Sequence, residues 1–152
     1  MSNNEKDLDM LRAHFSAVSS LKIDAILDTF HPDIIIKAPF TPEVFKARVP
    51  DKIQGKEAVS KFFKSLLDLV APLNFFDLEI EPLQKPGEFV CRFASDTKIL
   101  ATNLPYRNHY ISRISVRDGL IIGISEYYDP IVLITSLGGG VTLPQMEEVY
   151  DD

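Results

Sequence analysis

The chain has 152 residues, a formal net charge of −6, 45% hydrophobic and 25% charged residues, which is the balance of a soluble globular protein long enough to bury its own core. The acidic excess, with no Lys/Arg stripe to override it, argues against nucleic acid, and no apolar run nears the ~20 residues that would cross a bilayer, so no membrane partner is expected. A lone Cys91 excludes an internal disulfide and the polar start MSNNEKD lacks the apolar core of a signal peptide, both pointing to the cytoplasm.

The first third predicts two short helices. Leu8, Leu11, Phe15 and Val18 fall on one helical face; after Ser19-Ser20, Ile23, Ile26, Leu27 and Phe30 repeat the spacing. His31-Pro32-Asp33 ends the second helix, and the β-branched run Ile34, Ile35, Ile36 predicts a strand closing at Pro39. Residues 40–54 show no clean period and read as a surface loop placed to cover a cavity mouth. Gly55 opens the clearest helix, in which Val59, Phe62, Phe63, Leu66, Leu67 and Val70 make a wide apolar face.

Beyond Pro72 the period changes to two. Phe76, Leu78 and Ile80 alternate with Asp77, Glu79 and Glu81, predicting a half-buried strand. Further strands follow over Phe89 to about Leu100, Tyr106 to Arg117 and Leu120 to Tyr128, separated by Lys85-Pro86-Gly87, Asn103-Leu104-Pro105 and Asp118-Gly119. Helices, strand, helix and then a four-strand meander make an α+β protein: one domain over residues 1–152, with a curved antiparallel sheet and helices on one face.

The last hairpin fixes where its polar groups point. A two-residue turn at Asp118-Gly119 mixes apolar and charged side chains on both faces. A three-residue loop with Gly119 as a left-handed bulge separates them. Tyr110, Ser112, Ile114 and Val116 then share the covered face with Leu120, Ile122, Ile124, Glu126 and Tyr128, and Glu126 sits opposite Tyr110.

Glu126 is thereby the leading candidate for chemistry, because desolvation disfavours its charged form and raises its pKa towards the range useful in acid/base work. The hydroxyls of Tyr110 and Tyr128 and the amide of Asn108 are candidate partners for it or for a ligand oxygen. Ser112, Phe63, Phe76 and Ile124 complete the expected ligand-binding set. Asp129-Pro130 is read instead as the start of a short helix, Ile131 to Leu137, stopped at Gly138. His14, His31 and His109 have no metal-ligand spacing, so no metal is expected, and Cys91 reads as a buried small hydrophobe.

Gln54-Gly55-Lys56-Glu57-Ala58 opening the third helix, Asn108-His109-Tyr110, the Asp118-Gly119 hairpin and Glu126-Tyr127-Tyr128-Asp129-Pro130 together resemble the NTF2-like superfamily, and within it SnoaL-like and ketosteroid-isomerase-like proteins. The C-terminal hairpin is similar to the phenazine biosynthesis A/B proteins. The resemblance covers most of the chain. It implies an NTF2-like, cystatin-like fold, with a cone-like cavity between the sheet and three N-terminal helices and a homodimer formed through the outer sheet face. It also implies that Glu126 corresponds to the acid/base glutamate of the phenazine proteins. Their active-site histidine falls near Phe75 or Phe76 here, a departure from the phenazine pattern; the proton-shuttling aspartate of steroid isomerases falls at Ala38, before Pro39. The resulting expectation is a cofactor-free enzyme of isomerase, cyclase or dehydratase type acting on a hydrophobic cyclic carbonyl or imine. The alternatives are a non-catalytic ligand-binding module or a dimeric adapter.

Overall fold

The inner face of a six-stranded sheet, in the order β2-β1-β6-β5-β4-β3, carries half of the buried core. The computed structural model describes residues 3–144; residues 1–2 and 145–152 of the expected domain lie outside the described residues. In chain order the elements are α1 (Asn3–Ser19), α2 (Ile23–Leu27), β1 (Phe30–Lys37), β2 (Lys52–Gln54), α3 (Lys56–Leu69), β3 (Phe76–Pro82), β4 (Glu88–Lys98), β5 (Pro105–Arg117), β6 (Leu120–Tyr128) and α4 (Pro130–Ser136). The architecture is α+β, as expected. Among the described residues no helix is long and apolar enough to cross a membrane.

All strand pairs are antiparallel except one: β1 runs parallel to β6, with Ile36 beside Ile124 and Lys37 beside Ser125. This pair joins the N-terminal strand to the meander and brings α3, which packs on β1, over the sheet. Leu11, Phe15 and Val18 of α1 and Val59 and Phe63 of α3 are buried, in keeping with their helical stripes.

Four local expectations are corrected. Helix α2 is only five residues long, and Phe30, expected at its end, instead opens β1. The β1–β6 register shifts between Phe30 and Ile35, the stretch that contains Pro32, which has no N–H to give to a ladder. The segment expected as loop over 40–54 contains a 3-10 turn at Glu43–Phe45 and the edge strand β2, whose Ile53 is buried and pairs with Ile36.

The third correction concerns Phe76. Asn74 and Asp77 both take left-handed backbone conformations, with φ of 51° at each, and the β3–β4 register shifts between Phe76 and Glu79. The Phe75 N–H donates to Ser19 Oγ at 2.8 Å and the Leu73 N–H to the Ser19 carbonyl at 2.8 Å, tying this segment to the end of α1. Phe75 consequently packs with Phe15 and Phe93 in the interior, while Phe76 is 46% exposed.

The fourth lies in the last hairpin. Arg117 pairs with Leu120 through a two-residue turn in which Asp118 and Gly119 have φ of 52° and 74°, the positive-φ pair of a hairpin turn matched to strand twist. The one-residue shift expected at the turn occurs farther along. Val116 pairs with Ile121 but Ser115 with Gly123, so Ile122 is the extra residue of a bulge. Ile121 therefore enters the core, 0% exposed, in the role expected of Ile122. Beyond the bulge the expected faces are recovered, but Glu126 lies opposite Ser112, and Tyr110 lies opposite Tyr128.

Candidate active site

Between the inner sheet face and the helices lies a cavity of about 170 Å³. Its walls come from α1, α3, α4 and strands β1, β4, β5 and β6, and its aromatic side is built by cross-strand packing. Phe93 on β4 is directly opposite Tyr110 on β5, and their rings stack at 4.7 Å and 9°; Phe15 and Phe75 meet Phe93 edge-on, each at 4.9 Å. Phe63 and Ile124 line the space. Phe76 does not, and Phe75 takes its place.

Glu126 enters this wall because it alternates with the exposed Tyr127 on β6. No Lys, Arg or Asp is among the lining residues. Among the described residues its carboxylate receives one hydrogen bond, a long one of 3.4 Å from Ser112 Oγ. Burial pushes the Glu126 pKa from 4.5 up to about 7, against the smaller downward pull of Ser112. Near neutrality the group is thus divided between acid and base.

The tyrosines expected around Glu126 have other first partners. Tyr128 Oη lies 2.8 Å from Thr41 Oγ1, tying β6 to the chain after β1, and Tyr110 Oη lies 2.8 Å from Ser95 Oγ. Burial raises the pKa of both, and the nearby Glu126 charge adds to each shift. Asn108 is 1% exposed and fully committed. Its Oδ1 accepts from the His109 and Asp129 N–H groups at 2.8 and 3.0 Å, which orients the amide. Its Nδ2 then donates to the Asp129 carbonyl at 3.0 Å and to Tyr106 Oη at 3.1 Å. Asn108 is therefore not the ligand or Glu126 donor expected from the sequence. It is the fastener between β5 and the start of α4. Asp129 caps α4 by accepting from the Ile131 N–H at 2.9 Å, and Pro130 takes its first turn, as the sequence indicated.

Tyr106 is the hydroxyl that sequence reasoning undervalued. Its Oη accepts from Asn108 Nδ2 and, at 3.3 Å, from Tyr110 Oη, which leaves its own proton free to be donated into the cavity it lines. Burial pushes Tyr106 up to about 12, and the Glu126 charge contributes to the rise. The signal was present in the strand alternation, because Tyr106, Asn108, Tyr110 and Ser112 are successive inward positions of β5. His14 was also missed. It is 4% exposed and lines the cavity from α1, at i+3 from Leu11 and i−4 from Val18 within the apolar stripe.

Among the described residues no cluster of three or more His, Cys, Asp or Glu side chains is placed to hold a metal ion. Cys91 is buried and its thiol is pushed up to about 12 by that burial, which suits packing rather than nucleophilic attack.

A curved sheet with helices closing a cavity on its inner face is the architecture of NTF2-like proteins. The SnoaL-like domain profile matches residues 11–124, and the chain belongs to that family. The matched stretch ends two residues before Glu126. The chain is 25% identical over 139 residues to protein YesE of Bacillus subtilis, spanning 91% of this chain and 92% of YesE. A crystal structure of a Bacillus subtilis protein described as a candidate isomerase superposes with a TM-score of 0.82 at 26% identity, covering 92% of this chain and 98% of that one. A phenazine biosynthesis-related protein of Pseudomonas aeruginosa shares the fold, with a TM-score of 0.70 at 16% identity over 98% of this chain and 100% of that one.

Proposed function

We propose that this SnoaL-like chain is a small-molecule enzyme that moves a proton on a hydrophobic cyclic carbonyl or imine compound, with Glu126 as the acid/base. The observation that carries the reading is a carboxyl group in an apolar cavity wall with its pKa raised to about 7. In its ionised form Glu126 removes a proton from carbon next to the carbonyl. The electron pair of that C–H bond passes to the carbonyl oxygen; as the pair returns to carbon, the resulting carboxylic acid gives its proton to another carbon of a conjugated enolate (isomerisation), to the oxygen of a second carbonyl that the enolate carbon attacks (cyclisation), or to a β-hydroxyl that leaves as water (dehydration). Tyr106 donates to the oxygen as charge develops there, in a site where low polarity strengthens the bond. Tyr110 positions Tyr106, and Tyr128, two residues from Glu126 on the same face, is a second donor. The chemistry uses protein side chains alone. A buried apolar cavity of about 150 Å³ accommodates benzene, so the space here suits a ligand built around one ring.

Proton exchange reads this chemistry without knowledge of the natural substrate. Cyclohexanone and 2-indanone in D2O should gain deuterium beside the carbonyl faster with the protein than without it. The protein-dependent rate should rise with pH through about 7 as Glu126 ionises. Glu126→Gln should lose it by roughly 10²–10⁴-fold, the usual worth of a positioned base. Exchange that survives Glu126→Gln unchanged would exclude Glu126 as the base; ring-compound binding without exchange would favour a binding module.

The same reading reserves the outer sheet face for a second copy of the chain. A shallow groove of about 740 Å³ there is flanked by Phe40, Ile111 and Tyr127, which are 57%, 50% and 38% exposed. Sedimentation equilibrium should return twice the chain mass, and a monomer at micromolar concentration would remove this part of the proposal.

A further inference from the structure

His14 is tied down by one nitrogen and free at the other. Its Nδ1 lies 2.9 Å from Thr29 Oγ1, and the single Thr29 hydroxyl proton is already donated to the Ile26 carbonyl at 2.6 Å. Thr29 can therefore only accept from the ring, which places the imidazole proton on Nδ1 and leaves Nε2 as a bare acceptor. The ring is wedged against Phe15 and Phe30 at 5.4 and 5.3 Å, so it cannot turn without losing that packing. Nε2 has no hydrogen-bond partner among the described residues, yet no fully enclosed side-chain nitrogen or oxygen there lacks one. Nε2 therefore keeps accessible surface, and His14, only 4% exposed, is one of the residues that line the cavity.

Glu126 lines the same cavity from β6.

We infer that His14 Nε2 is a ligand anchor: it accepts a hydrogen bond from an O–H or N–H of the bound molecule, so the cavity selects one-ring compounds that carry a proton donor, such as phenols and cyclic amides. This deepens the proposed function by naming the ligand class; it rests on the cavity being a ligand site and not on Glu126 being the base. Burial lowers the His14 pKa to about 4, so the ring stays neutral and the acceptor is present throughout the physiological range. No Lys or Arg is among the described residues that line the cavity, which favours neutral donors over anions.

Phenol and toluene have nearly the same shape and differ in the donor. Their dissociation constants, measured by calorimetry, should give a phenol-to-toluene affinity ratio that falls at least tenfold in His14→Leu. In wild-type protein labelled with nitrogen-15 at histidine, Nε2 of His14 should resonate as an unprotonated nitrogen and move on saturation with phenol but not with toluene. This second measurement needs no variant to fold. An Nε2–H tautomer, a resonance indifferent to phenol, or a ratio that His14→Leu leaves within threefold of wild type would overturn the inference while leaving the cavity as a ligand site. If neither compound binds, the ligand-site reading fails with it.

Discussion

Glu126→Gln is expected to stabilise the protein by about 3 kcal/mol at pH 8 while abolishing proton exchange. The folded protein holds the Glu126 pKa at about 7, against 4.5 for the free side chain. For a carboxyl raised in this way, the contribution to stability is fully present below pH 4.5 and is lost as pH rises through 7, because the unfolded chain releases its proton first. Glutamine has nearly the same shape and nothing to release. The stability difference between variant and wild type should therefore be flat below pH 4.5, grow across pH 4.5–7 and then level off. At pH 8 the midpoint of thermal unfolding should rise by roughly 6–12 °C for a chain of this size. A difference that does not change with pH would mean that Glu126 is no more desolvated in the folded state than in the unfolded one. A gain in stability coupled to loss of activity is what a strained functional group predicts and a structural one does not.

Asn108→Ala is expected to be the most damaging single change outside the large hydrophobic residues, costing about 3–5 kcal/mol in denaturant unfolding. It removes acceptors from the His109 and Asp129 N–H groups and donors from the Asp129 carbonyl and Tyr106 Oη in one step. These groups are buried or partly buried, so most of the lost bonds are not replaced by water. Asn108→Asp should be milder in structure, since its carboxylate still accepts from both N–H groups, but it loses the donors to Tyr106 and the Asp129 carbonyl. Because Asp129 caps α4 and Leu133 of α4 lines the cavity, ligand affinity should fall along with stability in both variants. A cost below 1 kcal/mol for Asn108→Ala would show that α4 is held by its apolar contacts alone.

The helices and the sheet were legible because their periods are strong. The stripes of α1 and α3 and the strict alternation along β5 each admit one orientation against a core. Glu126 was legible because separating apolar from mixed faces required a one-residue shift in the hairpin; the shift was expected at the turn, and the bulge at Ile122 supplies it instead. The details that failed depend on single backbone residues whose unusual conformations have only weak sequence signals. Left-handed Asn74 and Asp77 exchange Phe75 for Phe76 in the interior, and a bulge at Ile122 exchanges Ile121 for Ile122. Neither asparagine nor aspartate announces such a turn without its neighbours. The role of Asn108 was hidden for another reason. An inward asparagine beside a carboxylate looks like a ligand donor until the strand end and helix cap that consume all its hydrogen bonds are placed beside it. His14 stood within the α1 stripe all along, but its free nitrogen follows only from where the Thr29 proton goes.

Glu126, a single carboxyl group in an apolar cavity, is held between its acid and base forms near neutral pH. Carbon-13 NMR of the glutamate side-chain carboxyls, with Glu126→Gln to assign the resonance, measures that state directly. The midpoint expected for Glu126 is about 7. A midpoint near 4.5, the ordinary value, would place the carboxylate in water and contradict the proposed role of the cavity.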